Sequence, residues 1–283
     1  MPELDLGNVK GPQGKSAYQS ALDAGFSGSE EAFNTAMAKT PDAVLYTAQS
    51  LSDTQKAQAR TNIGVDGVAA KSIGSVSKSL NASELQTYLN SLPRLLTDNY
   101  DITLTGTCSE IVYLKGFYGC GRITLRAVNL GDCVFTKDIS IENCSIPVEM
   151  EKLKWTLDDE ATSNTYCIDC INSNMRANGC SFNGYDAASE TKAGNGVNLL
   201  YNSSVSLLNC AFHNLAIAAH TFLGGYINVI GENPESDYSG NGAGIYLYQG
   251  GLALLGNSVP DTLGGTYNEK NGVSAIIKNG KFL

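Results

Sequence analysis

Residues 139 to 256 repeat one short phrase. Ile139-Ser-Ile141-Glu-Asn143-Cys144-Ser-Ile146 recurs as Met175-Arg-Ala177-Asn-Gly179-Cys180-Ser-Phe182 and as Val205-Ser-Leu207-Leu-Asn209-Cys210-Ala-Phe212, with looser copies at Ile227 and Leu252. Each copy alternates apolar and polar residues like a half-buried strand, bends at Asn or Gly, then places a small buried-type residue at a fixed position. Successive turns starting about 20 to 30 residues apart describe a solenoid, in which each turn packs only on its neighbours. The fold expected is mainly β: a right-handed parallel β-helix over residues 99–283, its hand set by the chirality of parallel crossovers.

A second strand-like run precedes each copy: Tyr166 to Asn172, Gly196 to Asn202, Ala216 to Leu223 and Gly244 to Gln249, with Gly272 to Asn279 as a last member. Two strands and a bend then make one turn, with Asn202-Ser-Ser, Gly224-Gly225 and Gly250-Gly251 at junctions that need left-handed backbone angles. The gaps from Ile146 to Tyr166 and from Glu232 to Gly242 read as insertions projecting from the coil. Cys144, Cys180 and Cys210 hold one position of the phrase and are read as a reduced internal ladder of small side chains. Cys167 and Cys170 form C-x-x-C, but no second pair with metal-site spacing follows, so no metal or other cofactor is assigned.

Before the coil the signals are helical. Ser16 caps a short helix ending near Gly25, Ser29 caps a second carrying Ala32, Phe33, Ala36 and Met37, and Ser52 with Gln55 forms a capping box for a third ending at Gly64. These make an attachment or oligomerisation region over residues 1–64. Residues 65–98 follow as a linker, from Val65 to Ser79, and a helix signalled by Ser83 and Gln86, with Leu85, Tyr88, Leu89 and Leu92 inward, that covers the open end of the coil. Gly11-Pro-Gln-Gly14 is read as a turn, since a glycine every third residue is not sustained.

The formal charge of −9 without a Lys/Arg run disfavours nucleic acid as a partner. No apolar run of about 20 residues predicts membrane insertion, and the start Met1-Pro-Glu-Leu-Asp lacks a secretory pattern, so synthesis in the cytoplasm is expected. His213 in a turn-like setting and His220 in an apolar run are read as structural polar groups. Gly-x-Ser-x-Gly, His-Glu-x-x-His and phosphate-loop motifs are absent.

Two N-terminal segments carry a resemblance. Leu51-Ser-Asp-Thr-Gln-Lys-Ala-Gln-Ala-Arg-Thr-Asn-Ile-Gly64 resembles a segment that recurs in tail fibre and tail-associated proteins of tailed bacteriophages and prophages. Gly14-Lys-Ser-Ala-Tyr-Gln-Ser-Ala-Leu-Asp-Ala-Gly-Phe-Ser-Gly-Ser-Glu-Glu-Ala-Phe33 is similar to segments frequent in phages of Gram-positive hosts. The resemblance implies a component of a virion or phage-tail-like particle, a homotrimer joined to a tail or baseplate adaptor by its N-terminal part, with the coil facing the bacterial surface. The coil resembles tail fibre and tailspike β-helices in architecture, and its chemistry is not implied.

Three functions stand open: a non-enzymatic receptor-binding fibre recognising surface glycan or protein, a tailspike depolymerase, and a structural baseplate part. A glycoside hydrolase needs two carboxyl groups roughly 5 to 9.5 Å apart, and a polysaccharide lyase needs a base with a charge-neutralising group. The Gly-His-Gly motif of polygalacturonase-like β-helix hydrolases is missing, so no catalytic residue is assigned. The candidate ligand residues lie in the insertions: Trp155 with Asp158, Asp159 and Glu160, Tyr185 with Asp186 and Glu190, and Tyr238 with Glu232, Glu235 and Asp237. Aromatic platforms beside carboxylates suit sugars, and three insertions rising from one face would form a groove.

Overall fold

The computed structural model describes residues 16–38, 52–62, 73–158, 160–186, 192–231 and 238–283. The chain separates into two units, Met1–Ala70 and Lys71–Leu283.

In the first unit the helices are Ala17–Asp23, Glu30–Ala38 and Asp53–Asn62. Each start carries the expected cap. Ser16 Oγ accepts from Gln19 N at 3.1 Å, Ser29 Oγ from Ala32 N at 3.1 Å, and Ser52 and Gln55 close a reciprocal box. Tyr18, Phe26 and Phe33 gather between the first two helices with ring centroids 5.6–6.4 Å apart, and Tyr18 Oη donates to Gly28 O. Gly11 to Gly14, Met37's side chain and the Gly64 stop lie outside the described residues.

The second unit is a parallel β-solenoid of about seven turns. Each full turn has three walls, not two strands and a bend. The first wall stacks the N-terminal half of Asn99–Cys108, Arg122–Arg126, Val148–Glu151, Asn174–Asn178, Ser204–Leu208, Tyr226–Ile230, Leu252–Leu255 and Ala275–Lys278. The second stacks the C-terminal half of Asn99–Cys108 on Cys133–Phe135, Lys154–Thr156, Ser181–Asn183, Ala211–His213 and Tyr238–Ser239. The third stacks Val112–Lys115, Ile139–Glu142, Tyr166–Ile171, Asn195–Leu200, Ile217–Phe222, Ala243–Tyr248 and Tyr267–Asn271. The second wall's strands are short, two or three residues in most turns, and carry too little alternation to stand out in sequence.

Register corrects the repeat. Ile139–Glu142 belongs to the third wall, whereas Asn174–Asn178 and Ser204–Leu208 belong to the first. The phrases look alike because both corners are built alike: a strand ends in a left-handed residue, such as Asn143 at φ 53° or Asn209 at φ 50°, and a small buried residue follows. Cys144 therefore does not stack with Cys180 and Cys210. Its counterparts are Ser173 and Ser203, linked by Ser173 Oγ accepting from Cys144 N and Ser203 Oγ from Ser173 N. Cys180 and Cys210 follow Leu153 in their own column. Gly272 to Asn279 moves likewise: its strand, Ala275–Lys278, continues the first wall, and Tyr267–Asn271 ends the third.

All eight cysteines are free, and all but Cys120 are buried. Burial pushes the thiols of Cys133 and Cys170 up to about 12, far from reactive thiolates. Inward columns such as Leu114, Ile141, Cys170 and Leu199 run along the third wall. Neighbouring strands about 4.8 Å apart repeat each contact turn after turn.

The run read as linker holds a strand. Ser75–Asn81 pairs in parallel with Asn99 to Thr105 and extends the first wall by one strand; residues 65–72 lie outside the described residues. The following helix is capped by Asn81 and Glu84, two residues earlier than Ser83 and Gln86 suggested, through a 3₁₀ turn at Ala82–Glu84 leading into Leu85–Ser91. Leu85 and Leu89 are fully buried, and Tyr88 and Leu92 pack on the core. Gln86 has a different task. Its Oε1 accepts from Tyr113 N at 2.6 Å and its Nε2 donates to Tyr113 O at 3.4 Å, so one side chain satisfies the edge of the first third-wall strand.

Candidate functional site

The residues named as ligand contacts from sequence separate. Trp155 is inside the coil at 0% exposure, in an aromatic stack of Phe135, Trp155, Phe182, Phe212 and Tyr238 with centroids 4.9–6.1 Å apart. It follows that Trp155 cannot be a surface platform, and Tyr238 closes the same inner stack. Asp158 and Glu160 both bind Lys137 Nζ, at 2.9 and 2.6 Å. Tyr185 is half-buried in a small antiparallel hairpin, Tyr185–Asp186 with Lys192–Ala193. Asp159, Glu190, Glu232, Glu235, Asp237 and the side chain of Asp186 lie outside the described residues. Two of the insertions leave the coil between the second and third walls, after Thr156 and after Asn183, but the one after Ile230 leaves between the first and second. They do not share one corner.

The groove lies on the outside of the third wall. Strand alternation that turns Ile168 and Cys170 inward turns Asp169 and Ile171 outward. Along the wall, Ser140, Asp169, Asn198, His220 and Tyr246 stand in one register column, and Glu142, Ile171, Leu200, Phe222 and Tyr248 in the next. Tyr166, Ile217, His220, Phe222, Tyr246 and Tyr248, with Ser163 from the first insertion, line a groove of about 380 Å³. Phe222 and Tyr248 stack with centroids 4.7 Å apart and planes 1° from parallel; His220 meets Tyr246 edge-on at 5.1 Å. Asn195 Nδ2 donates to Ser163 O at 2.7 Å and Thr165 O at 3.3 Å, pinning the insertion beside the rings.

The electrostatics of this wall are acidic. Burial holds the Asp169 carboxyl above the usual range, opposed by a hydrogen bond from Asn198 Nδ2 at 2.8 Å and reinforced by Asp138 and Glu142. Burial also raises Asp138. The Tyr166 hydroxyl is raised by burial and by Asp169, which ties the acidic patch to the groove. Burial lowers His220, keeping its ring neutral, and its Nδ1 has no partner, nor has Asn198 Oδ1. The reading of His220 as a satisfied structural group thus gives way to a polar edge on the groove. No group of three or more metal-ligating side chains occurs among the described residues.

Chemically, flat ring faces beside carboxylates and amides suit a sugar, whose apolar face stacks while its hydroxyls bond. Comparison with protein-family models, with curated proteins and with solved structures gives no match. Sequence reasoning missed the groove because Leu200, Phe222 and Tyr248 are apolar strand residues and pass for core. The signal was parity: they sit one position off the inward set Leu199, Thr221 and Leu247.

Proposed function

We propose that this chain is a virion-associated attachment protein, a tail fibre of a phage or phage-tail-like particle, that binds a bacterial surface glycan without cleaving it. The observation that carries the reading is the ring-lined groove on the outside of an all-parallel wall, a rigid surface on which extended polymers lie along the stacked rings. The capped N-terminal helices, resembling tail-fibre segments, are the part joined to the tail or baseplate adaptor. A homotrimer multiplies weak single-groove contacts by avidity. Assembly takes place in the host bacterial cytoplasm, and the working location is the particle.

A second reading, a depolymerase, draws support from Asp138 and Asp169. Asp138 immediately precedes the strand Ile139–Glu142, two positions before Ser140, the residue paired with Asp169; such a diagonal sets the backbones about 7–8 Å apart, compatible with the roughly 5–9.5 Å span used by glycosidase carboxyl pairs. A structural baseplate role without receptor is the third reading.

Purified protein mixed with whole Gram-positive cells and with isolated envelope polysaccharide separates the three. The fibre reading expects cell-bound protein with unchanged polymer length, lost in Tyr246→Ala/Tyr248→Ala and kept in Trp155→Phe. Shortened polymer would favour cleavage, and absence of binding to every surface tested would favour the structural role.

A further inference from the structure

We infer that the ligand of the third-wall groove is a glycan bearing a cationic ammonium group, such as an unacetylated amino sugar, which deepens and rests on the reading of this wall as the glycan-binding surface. The first reason is ring geometry. Tyr166, Phe222, Tyr246 and Tyr248 line one groove, and the negative faces of aromatic rings attract ammonium ions when water is partly excluded.

The second reason is charge complementarity. Asp138 and Glu142 crowd Asp169 on the same outer wall, two strands along the column from His220, and raise its cost of ionisation, while the Tyr246 hydroxyl hydrogen-bonds Glu269 on the far side. The nearby cations are already engaged: Lys115 with Glu142, and Lys137 with Asp158 and Glu160. Neutral His220 adds no positive charge. An incoming ammonium group lowers the cost of ionising Asp169, which a neutral sugar does not. An acidic glycan meets the wrong sign, and so does the same wall of a second copy.

The third reason is polar accounting. Asn198 is 3% exposed, gives its Nδ2 to Asp169 and leaves Oδ1 without a donor; the next residue in the column, His220, leaves Nδ1 unpaired. A buried acceptor without a donor carries a desolvation cost. Both atoms lie in the column that holds Asp169, where a ligand N–H would supply the missing donor after a small side-chain adjustment.

The test is calorimetric titration of the full chain with a glucosamine hexamer and with its fully N-acetylated counterpart, alongside binding to whole cells. The expected result is roughly tenfold tighter binding of the free amine, weakening as salt rises. Asp169→Asn and Tyr246→Ala abolish the preference; Trp155→Phe, checked for folding by its melting temperature, retains it. Equal affinities, or binding of neither oligomer, overturn the inference while cell binding leaves the attachment reading standing. Oligolysine binding as tightly as the amino sugar also overturns it, because simple acidity would then suffice. Loss of both cell and oligomer binding is the signature of failure of the attachment reading itself.

Discussion

Two aromatic columns run along this coil, one inside the second wall and one outside the third. The inner one joins Phe135, Trp155, Phe182, Phe212 and Tyr238; the outer one holds Phe222 on Tyr248 and His220 against Tyr246. Their ring separations are nearly the same, because both inherit the spacing of stacked strands. Stacking on a solenoid is thus no mark of function by itself. What distinguishes the columns is the side of the wall: Phe182 is wholly enclosed, whereas Phe222, Tyr246 and Tyr248 stay partly open to solvent.

That contrast yields its largest expected effect in stability. Phe182→Ala opens a cavity in the inner stack and costs about 3–5 kcal/mol, while Tyr246→Ala costs about 1 kcal/mol or less yet abolishes glycan binding. Urea midpoints with a binding assay measure both, and equal losses at the two sites would erase the distinction.

A smaller effect, of opposite sign to the usual surface carboxylate, is expected at Asp169. Its native pKa is raised, so between the usual 3.8 and that raised value the folded chain holds more protons than the unfolded one, and stability is gained as pH falls through this window. Ionised Asp169 is a penalty at neutral pH. Asp169→Asn should therefore match or exceed the parent in melting temperature at pH 7, with the difference vanishing towards pH 3.8, while the amino-sugar preference disappears. His220 works against this trend in the parent: its pKa is lowered, so stability present above 6.5 is lost as pH falls through the native value, and the two variants must be compared at each pH. A variant less stable than the parent at pH 7 would remove the case for repulsion on the outer wall.

The smallest effect concerns the corners that hold both columns in place. Asn143→Ala should cost about 1 kcal/mol, since a left-handed backbone disfavours a Cβ and the Asn172 Nδ2 bond to Asn143 Oδ1 is lost. Asn143→Gly should recover most of the backbone part. Equal melting temperatures for parent and alanine variant would show that the corner is not strained.

The winding and the starts of the three N-terminal helices were legible in sequence because they rest on local rules: alternation for strands, Asn or Gly for left-handed bends, Ser and Gln for helix starts; the helix on the coil starts two residues before Ser83, at the Asn81 box. Ser16, Ser29 and Ser52 cap as their spacing suggested. The number of walls was not legible, because strands of three residues such as Ser181–Asn183 look like part of a bend. Nor was the equivalence of turns, because Cys144 and Cys180 end chemically similar phrases at different corners.

The sequence by itself determined that the chain winds, about how often, and which residue types turn it, since each of these depends on neighbours a few positions away. Tertiary structure alone decided that Trp155 is core and that Tyr246, Tyr248 and His220 share a groove. A strand's two faces are chemically interchangeable until three walls close, and only closure fixes which side faces water.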